Sequence, residues 1–234
     1  MSTPSLNGEK PSGPRSRKGA VTRARLLSAA KEVFEQDGFL DARISDIAER
    51  AGLSHGSFYH YFESKEEVFR EVAAEVDARL VAPLTSVILD PSSPATPYER
   101  IREAIRMHME SYRAEARIMG VIEQVSRFDE HVRALRYERH QRSLVQVADS
   151  IRRLQRNGLV DERLEPTVAA AGLGSMTYRF PEMWFVQGLL DCDFDLGVEQ
   201  LTLLFVNALG LPRSEEGARR ATSSSASLRV PSPD

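Results

Sequence analysis

Between Ile44 and Phe62 the chain reads ISDIAERAGLSHGSFYHYF, and its polar side chains are grouped closely enough to act on one target. His55, Ser57, Tyr59 and His60 are donors of the kind that reach base edges and phosphate oxygens of a duplex. Gly56 lacks a Cβ, so its backbone can approach a partner closely. Two other chemistries compete for the same residues. Gly52-Leu53-Ser54-His55-Gly56 fits the Gly-x-Ser-x-Gly nucleophile elbow, which needs a strand before it and a helix after it. The apolar residues upstream, Ile44, Ile47, Ala48 and Ala51, have helical spacing instead, so a hydrolase has no support. His55 and His60 are five apart, on different faces of a helix, with no Cys or carboxylate at ligand spacing, so no metal is expected. Neither Gly-x-x-x-x-Gly-Lys nor Gly-x-Gly-x-x-Gly occurs, and no cofactor is expected.

The elements that must hold those donors can be read around them. Two short helices, about 45–50 and 55–62, are joined by a tight turn in which Gly52 can take positive φ and Ser54 is a good N-cap. Ile47, Ala51, Leu53, Phe58 and Tyr61 face inward against a first helix, about 21–36, whose stripe is Leu26, Leu27, Ala30, Val33 and Phe34 and which ends at Asp37-Gly38. This is a helix-turn-helix, whose second helix can lie in a major groove. Ser64 and Glu67 form a capping box for the next helix, with Val68, Val72, Val76 and Leu80 on one side. Lys65 would sit in its first turn, beside a backbone phosphate. Pro83 bends or ends that helix.

The segment from about Ala20 to Phe69 resembles the DNA-binding domain of the TetR/AcrR family of bacterial repressors. The resemblance rests on Gly52 and on Gly56, Tyr59, Tyr61, Phe62 and Lys65 in the pattern Gly-x-Phe-Tyr-x-Tyr-Phe-x-x-Lys. Ile44 departs from the Thr often found there, and Ser45 can take over that role. The resemblance implies a homodimeric, all-helical repressor whose C-terminal domain binds a small molecule and releases DNA. The DNA-facing set is then Arg17, Lys18, Arg23, Arg43, Ser45, Ser54, His55, Gly56, Ser57, Tyr59, His60 and Lys65. A different class, a helical small-molecule-binding enzyme with an incidental N-terminal motif, would show turnover and no sequence-dependent DNA binding. The favoured reading is not an enzyme.

The rest of the chain also reads as helix, which makes the fold class all-α. Asp90-Pro91-Ser-Ser-Pro94 is a break, and Thr96-Pro97-Tyr98-Glu99 starts a new helix with a cap, Pro at the first position and Glu at the third. Further helices follow at about 116–126, 130–155, 166–187 and 196–209. In the last, Glu199 is the one charged residue and apolar side chains cover nearly the whole circumference, which calls for cover on every side. A two-fold dimer seam through Met176, Phe180, Trp184, Leu201, Leu204, Phe205 and Ala208 is favoured as that cover, the alternative being an ordinary deep core. The Arg-rich run at 127, 133, 136, 139 and 142 is a solvated helix face or an anchor for an anionic ligand group. A pocket lined by Met107, His108, Tyr112, Met119, Glu123, Phe128, Tyr137, Gln141, Met176, Phe180 and Trp184 would suit a small hydrophobic effector, acyl or steroid-like with an anionic end. Pro181 interrupts the penultimate helix beside these aromatics and shapes the cavity or the seam.

Composition limits what remains. Of 234 residues 41% are hydrophobic, which excludes wholesale disorder. A single cysteine, Cys192, excludes a disulfide framework or a multi-cysteine metal site. There is no 18-residue apolar run and no secretory signal pattern at the N-terminus, so a cytoplasmic protein with no membrane partner is expected. Expected divisions are a disordered basic arm at 1–18, the helix-turn-helix domain at 19–65, a ligand-binding and dimerisation domain at 66–211 and a disordered tail at 212–234. The net charge of -3 argues against a duplex partner only until it is divided. Residues 1–65 hold ten Lys or Arg against eight Asp or Glu, +2, and the remainder is -5. An acidic body repelled by DNA leaves one surface able to dock on a double-stranded operator.

Overall fold

The computed structural model describes residues 17–88 and 94–211, with backbone alone at 81–88. The expectations for the arm before Arg17, the break at 89–93 and the tail from Pro212 lie outside the described residues. Within them the regular elements are helical. None is long and apolar enough to cross a membrane. Two compact units divide after Val72.

The first unit is built by α1 (Arg17–Asp41), α2 (Ile44–Arg50), α3 (His55–Phe58) and the start of α4 (Lys65–Ile88). Arg17 and Lys18 form the first turn of α1, so the expected arm does not reach them as coil. Gly38 breaks the helix with φ 76 and ψ 174, a backbone state that L side chains rarely adopt. The expected stop at Asp37-Gly38 is therefore a kink, after which one short turn carries Phe39 back inward. Leu26, Val33, Phe34, Ile47, Phe58, Phe62, Val68 and Phe69 are buried together. Phe69 meets Phe34 and Phe39 edge-on, with ring centroids 5.0 and 4.9 Å apart. Because α4 supplies Val68, Phe69 and Val72 to this core, the unit extends beyond Lys65.

The second unit holds the rest of α4 with α5 (Pro97–Ala114), α6 (Ala116–Val125), α7 (Glu130–Arg156), α8 (Pro166–Pro181) and α9 (Phe194–Leu209). Thr96 and Glu99 close a reciprocal capping box at the start of α5. α7 packs on α8 and α5 on α9, around a core of Ile105, Met109, Ile151, Leu173, Val198 and Leu201. Pro181 ends α8, and a single π turn (Glu182–Val186) follows. It closes through Gln187 N–H to the Glu182 carbonyl at 3.0 Å, a five-residue span. Pro181 has no N–H for the carbonyl four residues back, Thr177, and the His108 ring nitrogen Nε2 takes that carbonyl at 3.2 Å.

Candidate functional site

The turn between α2 and α3 is fixed by its own backbone. Gly52 takes φ 65 and donates to the Glu49 carbonyl at 2.8 Å, while Leu53 N–H reaches the Ala48 carbonyl at 2.8 Å. Arg25 on α1 donates to the Ala51 carbonyl, through Nε at 3.1 Å and also through Nη2. The Ser54 hydroxyl caps α3 by accepting from Ser57 N–H at 3.2 Å. Its side chain is also paired with the Ser57 hydroxyl at 2.7 Å.

Buried Phe58 and Phe62 hold the inner side of this segment, so His55, Gly56, Tyr59 and His60 are left exposed and Ser57 half-buried. His55 and Tyr59 lie edge to face, 5.4 Å between centroids. A Cβ at Gly56 would meet nothing within 4 Å. The chain's own packing therefore does not demand glycine there. Arg17, Lys18, Arg43 and Ser45 are exposed as well. The Ser45 hydroxyl bonds Asp46 at 3.0 Å.

Two expected duplex contacts are engaged elsewhere. Lys65 Nζ donates to the carbonyls of Phe39 at 2.7 Å, Leu40 at 3.1 Å and Ala42 at 2.9 Å, and lies over the Phe39 ring. An ammonium has three protons, and all three are taken. Lys65 is thus a positioning residue, which ties the entry to α2 to the start of α4. Arg23 pairs with Glu71 and lies 4.7 Å over the Phe62 ring, so it too serves the unit's own structure.

In the second unit, Leu80, His108, Tyr112, Arg139, His140, Ser143, Leu144 and Tyr178 are among the residues around a cavity of about 420 Å³. Of the expected pocket residues, His108 and Tyr112 line it. Met107, Met119, Glu123, Phe128, Tyr137, Gln141, Met176, Phe180 and Trp184 line neither this cavity nor its neighbour described below. The reasons are local. Met119 is buried on the inner side of α6, Glu123 is paired with Arg136, and Phe128, Tyr137 and Gln141 are exposed. Trp184 is packed within the unit, stacked on Phe185 with centroids 4.4 Å apart. Leu201 is only 2% exposed. Neither is left for a dimer seam. Leu204 and Ala208 are exposed one turn apart on α9, with Phe205, Met176 and Phe180 half-buried.

Arg139 shows which way its part of the Arg-rich run turns. It is 8% exposed, and its Nη1 lies 2.8 Å from the carboxylate of Asp77, itself 6% exposed. Burial pushes the Asp77 carboxyl up, against the pull of Arg139 and Arg142. Burial holds the His108 imidazole down at about 4, so the ring is neutral at pH 7. It raises the Tyr112 and Tyr178 hydroxyls. Sequence spacing alone offered no sign of Arg139's burial, because its partner lies on α4. Among the described residues no group of three His, Cys, Asp or Glu side chains could hold a metal.

Residues 26–72 match the model of the bacterial regulatory proteins of the tetR family. The HTH-type transcriptional regulator YdgC of Bacillus subtilis is 41% identical over 73 residues, 31% of this chain and 37% of that one. RutR of Escherichia coli, also an HTH-type transcriptional regulator, is 36% identical over 101 residues, 43% of this chain and 46% of its own. The chain thus spans less than half the length of these curated relatives. Among solved structures, SmeT, the repressor of the Stenotrophomonas maltophilia multidrug efflux pump SmeDEF, superposes with a TM-score of 0.64 at 20% identity, over 82% of this chain and 91% of SmeT. That likeness is one of fold. Over residues 26–72, its helix-turn-helix, this chain is thus similar to the tetR family of bacterial regulatory proteins.

Proposed function

We propose that the chain is a DNA-binding transcriptional repressor that reads a palindromic operator as a homodimer and is released by a small hydrophobic effector. The observation that carries the reading is the outer side of α3 and of the turn that follows it. His55, Tyr59 and His60 stand exposed around a glycine whose missing side chain nothing inside the protein requires. Close approach of a duplex explains that glycine. Arg17, Lys18 and Arg43 supply phosphate contacts, so binding weakens steeply with salt. Leu204 and Ala208 on α9 support a two-fold seam, with half-sites about 34 Å apart or a little more. The cavity around His108 and Tyr112 supports the effector, which must prefer the state that cannot bind DNA.

The test is a mobility shift with the duplex flanking the chain's own gene, against random duplex. Tyr59→Ala should weaken the specific complex at least tenfold and leave thermal unfolding unchanged. Equal affinity for both duplexes would overturn the reading.

A further inference from the structure

The cavity around Arg139 has an immediate neighbour. A second cavity of about 360 Å³ is walled by Ile101, Ile105, Ile151, Leu154, Leu173 and Leu209 among others. Ser143, Gln146, Gly174 and Thr177 line both, so the two meet along α7 and α8. A Cβ on Gly174 would meet nothing within 4 Å, which leaves that junction open. From Arg139 to Leu154 along α7 the span is about 22 Å at 1.5 Å per residue. One end is apolar. The other holds unbalanced positive charge, since Arg139 and Arg142, at 2.8 and 3.7 Å, share the one carboxylate of Asp77.

That charge is also unsatisfied in hydrogen bonding. Nη1 of Arg139 is taken by Asp77, whereas Nη2 is buried without an acceptor. A buried guanidinium with a free donor is costly unless something accepts from it. The neighbouring polar groups are poor candidates. Neutral His108 has its Nε2 on the Thr177 carbonyl, and its Nδ1 is itself buried without a partner and does not take the Arg139 donor; Arg136 is occupied by Glu123 and the Tyr178 hydroxyl.

Resting on the ligand-responsive reading above, we propose that the two cavities form one site for an amphiphilic carboxylate, its anion on Arg139 and its apolar chain running along α7 toward Leu154. A carboxylate fits a single free guanidinium donor, whereas a phosphate dianion would need more donors than this end provides. The incoming anion competes with Asp77 for the same guanidinium. Since Asp77 belongs to α4, occupancy alters a contact of that helix.

The test is calorimetry on the full chain with octanoate, decanoate and dodecanoate, with decan-1-ol and decyl phosphate alongside. Carboxylate affinity should rise with chain length, and the alcohol should bind at least tenfold more weakly than decanoate. Asp77→Asn removes the competitor and should tighten decanoate about tenfold, while Arg139→Gln should abolish it. If Arg139→Gln does not fold by circular dichroism, the Asp77→Asn comparison decides alone. Equal binding of the alcohol, tighter binding of decyl phosphate, no binding by any carboxylate, or unchanged affinity in Asp77→Asn would each overturn the proposal. None of these readouts involves DNA. Carboxylate binding that leaves the operator complex intact would instead count against release by an effector.

Discussion

Replacing Lys65 with methionine keeps the apolar stem and removes the ammonium that holds three carbonyls at 2.7, 3.1 and 2.9 Å. Hydrogen bonds from a charged donor contribute about 1.5–3 kcal/mol each. Leu40 is exposed, so water can replace Lys65 at its carbonyl, whereas Phe39 and Ala42 are buried. Two bonds at the low end give about 3 kcal/mol, or roughly a hundredfold in an opening equilibrium. Hydrogen exchange of amides between Leu26 and Val72 should therefore accelerate by about that factor, while amides of α5 and α9 keep their protection. A second readout separates this role from a phosphate contact. Loss of one phosphate contact makes the plot of log affinity against log salt shallower by about 0.9 per protomer. Lys65→Met should leave that slope unchanged at a temperature where the first unit is folded. Unchanged protection together with a shallower slope would refute the positioning role and return Lys65 to the duplex.

Other consequences are as direct. A Cβ on Gly197 would collide with the six-membered ring of Trp184, which is packed against both Phe185 and Phe194. Gly197→Ala should cost about 2 kcal/mol, seen as an earlier Trp184 fluorescence transition, and an unchanged transition would show that the ring yields. The His108 pKa, about 4 when folded against 6.5 when free, sets a pH window. Between those values the unfolded chain binds a proton that the folded unit refuses, so stability is full above pH 6.5 and falls as pH drops, by about 3 kcal/mol near pH 4. Raised Asp77 acts in the opposite sense just above its ordinary value. The comparison is therefore wild type against His108→Gln, melted at about pH 7 and about pH 4.5; equal losses in both would refute the assignment.

The helix-turn-helix was legible because local rules decide it. Gly52, the Ser54 cap, the inward Phe58 and Phe62 and the Ser64 hydroxyl that accepts from Glu67 N–H each act within a few residues of themselves. Thr96–Glu99 is legible for the same reason. Lys65 is a different case. Its type and place suit a phosphate, and only the return of the 39–42 segment, more than twenty residues earlier in the chain, shows where its protons go. Arg139 is the same problem in a helix. Arg136, Arg139 and Arg142 follow one another at three-residue steps, and the choice of which is buried is made by Asp77 on α4. The expected pocket residues and the two cavities differ where the expectation rested on size and polarity. Phe128 and Tyr137 are large but stand in solvent, and Trp184 fills space inside its own unit.

The π turn after Pro181 bears on which changes of length this chain can accept. Val186 lies against Gly120 of α6 and Trp184 against Gly197 of α9, so both glycines face side chains of the same wide turn. One residue added to or removed from α8 would rotate that turn by about 100°. Both large side chains would leave their niches together, and no single substitution could restore the pair. The stretch between Gln187 and Asp193 carries no such double registration. Insertions and deletions should therefore collect there in sequences of this type, leaving the length of α8 constant even where its residues vary.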